Sequence, residues 1–533
     1  MKSEEWNAGR LLPCLGLLLA FAALTAFEQD YLYCAQEQNL FLHTPLFFRQ
    51  CMVTSGGLLT WAGAYLTQFF YYPMLGAGLL CLLWAFLVFL LRHTFRIANR
   101  WMWLTLIPVA MLLLADVCLG YWLYFLKLRG HLFVPTLGCI AAVALVYIYR
   151  TLPQRPLFTL HFPSIHHSSL FTLHFSTLFL AVASIASYPL FGFYGLLATA
   201  LMGILGRRKL ADRMIALTTI IAIPLLCYYT LYHQTPLANI WWTALPVFVH
   251  NGVSTCWHYT PYVLIVSWLI VAAAWHSGLK VYKHKHLPMG RVLSYFMLGL
   301  GVGILLLLIL AWNKDDNFHR ELTMSRQLEQ QDWQAMLNTI SASKGEPTRA
   351  MSIMKNLALQ RQGRLSKDMK NYPDGFARPK APFRVHLVHT VGKTLYLEFG
   401  IPNYCYRWCM EDGVEYGWSA GMLKLMVKCS LLNNELAAAR RYLSLLKKTD
   451  FHRQWAKKYE VYIHRPSLMA QDAEFQAIRP LLRNDNFLTS DQSQLEPFLI
   501  EHLASSEGDT PEQLELRNIC FKMYLNRNSY AEQ

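Results

Sequence analysis

The sequence predicts an all-α protein: a polytopic bundle of about nine transmembrane helices followed by a soluble, tetratricopeptide-like α-helical domain. Three observations lead there. Hydrophobic residues make up 54 % of the 533 residues and charged residues only 15 %, where soluble domains carry about 25 %. The deficit is one-sided: residues 1–312 hold 18 Lys/Arg and 7 Asp/Glu, whereas residues 313–533 hold 30 and 26. Apolar stretches approaching the ~20 residues needed to cross a hydrocarbon core recur up to Trp312 and then stop. The expected division is therefore 1–312, a multi-pass transmembrane domain, and 313–533, an extracytoplasmic domain of helical pairs.

The first stretch, 11–27, follows Lys2 and Arg10 and runs into Glu28-Gln29-Asp30 without a small-x-small cleavage pattern, so it reads as an uncleaved first helix. Further stretches are centred on 73–91, 102–125, 132–149, 174–188, 190–205, 214–232, 260–277 and 292–312. Tyr188-Pro189 interrupts the 174–205 region and predicts two short spans joined by a tight turn. Basic residues orient the set. With the amino terminus cytoplasmic, the inner connections (92–100, 150–155, 207–213 and 280–291) carry 13 of the 18 basic residues, and the opposite loops carry only Arg49, Lys127 and Arg129. This is the positive-inside bias. It expects a bacterial inner membrane location with the carboxyl-terminal domain in the periplasm. Tyr71, Tyr72, Trp101, Trp103, Trp241, Trp242 and Trp312 flank the stretches, where amphipathic rings favour the membrane–water boundary.

Two outer loops are long. Residues 28–72 contain acids, aromatics, Ser55-Gly56-Gly57 and an amphipathic 58–70 stretch suited to lying in the interface. Residues 232–259 carry Trp241, Trp242, His250 and His258. A cytoplasmic loop repeats LFTLHF at 157–162 and 170–175, read as local sequence drift. Past residue 313, helices are expected to start at Asp332-Trp333 and at Pro347-Thr348-Arg349, with a Pro-rich linker at 372–384 and helices at 414–431, 434–447 and 451–463. Cys405 and Cys409, four apart, read as neighbours on one helix face.

The net charge of +15 sits in short loops between apolar runs, which is topology and not nucleic-acid binding. No phosphate loop, serine elbow or HExxH is present, which removes the ATP-driven pump and the metalloprotease. Glu28 and Asp30 are the candidate catalytic carboxylates, because an acid at a membrane surface serves as a general base or metal ligand. A solvated acidic cap is the bland alternative. Glu37, Trp241, Trp242, His250 and His258 are candidate substrate-binding residues. The histidine spacing is not a zinc pattern, so any divalent metal stays unassigned. Asp116 is the lone acid in its apolar run, either functional or placed beside a break at Leu119-Gly120-Tyr121.

This outline resembles the GT-C type membrane glycosyltransferases over about residues 11–91, on Glu28 and Asp30 just after the first helix and on the long outer loop that follows. The resemblance implies a transferase acting on a polyprenyl-linked sugar at the outer face. The runs Phe47-Phe48, Ser55-Gly56-Gly57-Leu58-Leu59, Thr67-Gln68-Phe69-Phe70-Tyr71-Tyr72-Pro73 and Leu126-Lys127-Leu128-Arg129-Gly130 resemble a domain-of-unknown-function family of multi-pass proteins from Bacteroides-like bacteria, which implies architecture and no activity. The alternatives are a membrane-anchored scaffold, whose helical pairs bind a protein partner, and a lipid or solute transporter. Scarce intramembrane charge and the lack of an inverted repeat weaken the transporter.

Overall fold

The computed structural model describes residues 2–153, 156–162, 169–206, 209–278 and 290–482, together with 511 and 514. These residues are mostly helical, with two two-stranded hairpins as the sheet content among them. The expected all-α class is what the chain adopts.

Helix α1 (Lys2–Phe27) meets α2 (Gln29–Glu37) at a corner at Glu28, where the axis turns by 76°. Then come α3 (Pro45–Cys51), α4 (Gly57–Thr67), α5 (Pro73–Phe95), α6 (Leu106–Val117) and α7 (Val134–Thr151). Proline in the first turn of α3, α5 and α7 starts each helix where the missing N–H costs nothing. Strands β1 (Pro156–Phe162) and β2 (Ser169–His174) pair antiparallel, with Thr159 opposite Thr172. The two LFTLHF copies are thus the two arms of one hairpin. Helices α8 (Phe175–Phe191) and α9 (Phe193–Leu205) are split at Gly192, whose φ of +56° an L side chain resists. Next are α10 (Lys209–Thr230), the hairpin β3 (Val249–His250) and β4 (Val253–Ser254), α11 (Thr260–Gly278) and α12 (Gly290–Ala311).

Among the described residues, four helices are long and apolar enough to cross a membrane, over Pro73–Phe95, Val134–Thr151, Leu210–Thr230 and Cys256–Trp275, and counting the bent α1–α2 pair as one span makes five. The nine apolar stretches all fall on helical elements, several of them short: Trp101–Val117, Phe175–Phe191 and Phe193–Leu205 do not reach spanning length. The 102–125 stretch is divided into a 3-10 turn, α6 and a second 3-10 turn that starts at Gly120, φ +53°. Asp116 is therefore the penultimate residue of α6, buried beside that break. The basic loop between α11 and α12, with His284 and His286, lies outside the described residues.

Helices α5, α7 and α9 form the centre of the apolar bundle, with α1, α8, α10 and α11 around them. Helix α4 lies across the ends of this bundle. Its Gly63 touches Gly130 and Val134 at the start of α7, and Gly56 meets Gly192 at the end of α8.

The second half builds α13 (Asp316–Gln330), α14 (Trp333–Ser341), α15 (Arg349–Arg361), α16 (Leu365–Asp368), α17 (Gly392–Glu398), α18 (Pro402–Glu415), α19 (Ala420–Leu432), α20 (Leu436–Leu446), α21 (Arg453–His464), α22 (Pro466–Gln471) and α23 (Ala473–Ile478). The expected starts at Trp333 and Arg349 hold because Asp332 and Thr348 accept the N–H groups of Ala335 and Met351. The helix expected from 414 begins only at Ala420. Gly417, φ +100°, ends α18's extension and Ser419 caps α19. Cys405 and Cys409 are buried on α18, and the described cysteines are free thiols. Phe318 and Leu322 of α13 belong to the same hydrophobic core as the apolar bundle.

Candidate functional site

Helix α2 has two faces. Tyr31, Leu32 and Ala35 enter the bundle core. Asp30, Tyr33, Cys34 and Glu37, at helical spacings of three and four, line a cavity of about 680 Å³. The facing walls follow the same rule: Leu322, Ser325, Arg326 and Glu329 of α13, and Gly421, Lys424, Leu425 and Lys428 of α19. Tyr71, Tyr72 and Pro73 also line it, where α5 begins.

Asp30 is held at both oxygens. Arg326 Nη1 donates to Oδ1 at 2.8 Å and Thr323 Oγ1 donates to Oδ2 at 2.5 Å. The Arg326 guanidinium also lies 4.8 Å from the centre of the Tyr33 ring. Lys424 stands between two carboxylates: its Nζ donates to both oxygens of Glu37 at 3.1 and 3.0 Å and to Glu329 Oε1 at 2.8 Å. The Tyr33 hydroxyl donates to Glu329 Oε2 at 2.9 Å. One turn further along α19, Lys428 pairs with Glu474, which also accepts from the Tyr459 hydroxyl at 2.8 Å.

One lysine cannot neutralise two carboxylates, and the pair divides. Burial pushes Glu37 up to about 7, against the pull of Lys424. Burial would also raise Glu329, but Lys424 and Tyr33 outweigh it and hold Glu329 below the ordinary carboxylate value. Lys424 itself is raised: burial opposes its charge, and the two glutamates overcome that. Two neighbouring acids with opposed shifts are the arrangement in which one is ionised while the other carries a proton near neutral pH.

Glu28 is not in this cavity wall. It is buried at the α1–α2 corner, where Trp312 Nε1 donates to Oε1 at 2.7 Å and His319 Nε2 lies 3.3 Å from Oε2. It thus joins the helix corner to the end of α12 and to α13. Burial would lower His319, but the hydrogen bond and charge of Glu28 hold it above its ordinary value. The second outer loop is also elsewhere. The Trp241 indole donates to Ile220 O at 3.1 Å, and Trp242 is exposed against Phe193. His258 is buried between Phe248 and Trp122, and His250 between Phe125 and Phe383. Of the sequence-derived candidates, the cavity brings together Asp30 and Glu37.

The residues that sequence reasoning missed are Arg326, Glu329, Lys424 and Lys428. Lys424 and Lys428 did carry a signal: two lysines four apart in the otherwise apolar run of α19, a spacing that puts both on one face. The Asn251-Gly252 turn was legible too. Both residues have positive φ, +47° and +76°, between β3 and β4, as the Asn-Gly pair favours in a two-residue hairpin.

The cavity carboxylates engage arginine and lysine, and among the described residues no group of three or more His, Cys, Asp or Glu is placed to hold a metal ion. A family model described as "Family of unknown function (DUF6057)" matches residues 5–510. No curated protein and no solved structure matches the chain.

Proposed function

We propose, from the premise that this chain belongs to that family of unknown function, that it is a GT-C-like transferase acting on a lipid-linked sugar in the cavity between α2, α13 and α19. The carrying observation is that one face of α2 turns Asp30 and Glu37 into a cavity whose lining includes Tyr71, Tyr72 and Pro73, where the apolar helix α5 begins. A headgroup on a polyprenyl chain enters such a site from the lipid side while its tail stays against apolar helices. Tyr33, Tyr71, Tyr72 and Tyr459 in the walls supply ring faces and hydroxyls, the surfaces that bind polyhydroxyl rings.

In this reading all nine apolar helices sit in a bacterial inner membrane, with the amino terminus cytoplasmic. The helical pairs of 313–533, tetratricopeptide-like in their stacking, cap the outer face from the periplasm. Glu37, poised near 7, takes the proton of an acceptor hydroxyl when it is in its ionised form. The hydroxyl oxygen bonds to the anomeric carbon, and the bond from that carbon to the phosphate oxygen breaks. The polyprenyl phosphate leaves with the bonding pair. Asp30 and Arg326 position the headgroup. Lys424 holds Glu329 ionised beside it.

The test uses the full chain in proteoliposomes with a radiolabelled sugar on polyprenyl phosphate. Transfer to an acceptor is expected, and Glu37→Gln should lower its rate about 100-fold or more, the ordinary contribution of a general base. Asp30→Asn should lower it as well. No transfer by the wild-type chain, or variants as fast as wild type, sinks the proposal. A scaffold for a cell-envelope partner is favoured by one observation, the successive stacking of α18 to α21. On that reading both variants are silent in cells, and deletion of 313–533 reproduces the null phenotype.

A further inference from the structure

A second cluster of titratable groups lies outside the cavity, where the loop between α10 and α11 closes on the segment between α15 and α19. The β3–β4 hairpin carries His250, which is 8 % exposed. Its ring is 4.3 Å from Phe125 and 4.9 Å from Phe383, and its Nδ1 is 3.5 Å from the Tyr416 hydroxyl. Its Nε2 is buried with no hydrogen-bond partner. On the opposing surface, His389 Nδ1 is 2.9 Å from Asp412 Oδ1, and the His389 ring packs on Phe125 at 5.5 Å and Tyr416 at 5.8 Å. His386 stands 6.1 Å from His389.

We propose that His250 forms an acid-sensitive latch: as a neutral ring it seats the β3–β4 hairpin on the 383–416 segment, and its protonation releases it. The charges facing the cluster explain the sense. Lys127 approaches from the chain after α6, Arg384 from the segment beside His386, and Lys393 from α17. The two acids present are already engaged, Glu415 by Lys127 at 2.6 Å and Asp412 by Lys393 at 2.5 Å. A proton added to His250 would give a cation whose Nε2–H meets no acceptor, a costly state in a buried site. Burial, with His389 beside it, lowers His250 below its ordinary value; burial, then Arg384 and His389, lowers His386. For a histidine lowered in this way the contact is whole above its free value near 6.5 and is lost as pH falls. The cluster does not depend on the transferase reading.

Hydrogen exchange of the full-length protein in nanodiscs, corrected for intrinsic rates, tests this at pH 7.5 and 5.0. Amides of 248–255 in the wild-type chain should lose protection at least about tenfold on acidification, the factor carried by one pKa unit. His250→Gln, which does not titrate, should keep the same protection at both pH values. If glutamine unseats the hairpin already at pH 7.5, His250→Phe, which fills the ring volume without titrating, decides in its place. Equal wild-type protection at both pH values overturns the latch. So does a non-titrating variant that loses protection on acidification as the wild type does.

Discussion

His452 sits behind α2, its Nε2 2.8 Å from the side-chain nitrogen of Gln36. That amide nitrogen only donates, so the histidine accepts and is neutral, with its proton on Nδ1. Burial, reinforced by the charge of Lys424, lowers it to about 3. A depressed histidine stabilises the fold fully above its unfolded value near 6.5 and progressively less as pH falls toward 3. Wild-type melting temperature should therefore fall faster between pH 6.5 and 4.5 than that of His452→Asn, as scanning fluorimetry in detergent would show. Matching slopes would remove His452 from this account. His319 works in the opposite sense: held above its ordinary value by Glu28, it stabilises at low pH and loses its contribution as pH rises. A sharper residue-scale case is Asp412, buried and paired to Lys393 at 2.5 Å. Asp412→Asn leaves that lysine without its counter-charge and should destabilise by about 3–5 kcal/mol. Adding Lys393→Met should recover most of the loss in the same melting assay. No recovery would show that the pair does not act as a unit.

At the scale of elements, the crossing of α4 over the bundle rests on two glycines. A Cβ on Gly130 would stand 2.2 Å from the Gly63 carbonyl carbon and 2.3 Å from the Ala64 nitrogen, and Gly130 has φ +66°. Both obstacles are backbone and cannot rotate away. Gly130→Ala should therefore abolish the monodisperse peak on size exclusion. Gly252→Ala, at φ +76° with nothing within 4 Å of the added carbon, should cost only the backbone term of about 1–2 kcal/mol. Equal behaviour of the two would mean that the α4 crossing does not need close backbone approach. The elements also show which local signals could be read. Asp332 and Thr348 marked true helix starts because capping is a local interaction. The 414 start failed because Gly417 and Ser419 interrupt an apolar pattern that continues on both sides. Helices α2 and α13 were missed: α2 is only nine residues long, and mixed polarity hides the amphipathic face of both until its partner is known.

For the whole molecule, the division at residue 312 is compositional, whereas the packing crosses it. Phe318 and Leu322 share the core of the apolar bundle, and Glu28 holds both Trp312 and His319. Residues 1–315 expressed alone keep Trp312 but should lose the His319 side of the tie at Glu28, the Phe318 and Leu322 packing and the cap over α2. Fluorescence-detected size exclusion should show aggregation of that fragment beside a monodisperse full chain. A fragment as well behaved as the full chain would mean the two parts fold independently.

Helical class, the positions of apolar segments and the acids after the first helix were determined by the sequence alone, because hydrophobic periodicity, proline placement and capping act within one or two turns of a helix. Only the tertiary structure decided that Asp30 and Glu37 face one cavity while Glu28 ties down a corner. The reason is physical: Arg326, Glu329 and Lys424, which set the charge of that cavity, lie some 290 to 390 residues further along the chain. No local pattern in α2 records that they will meet it.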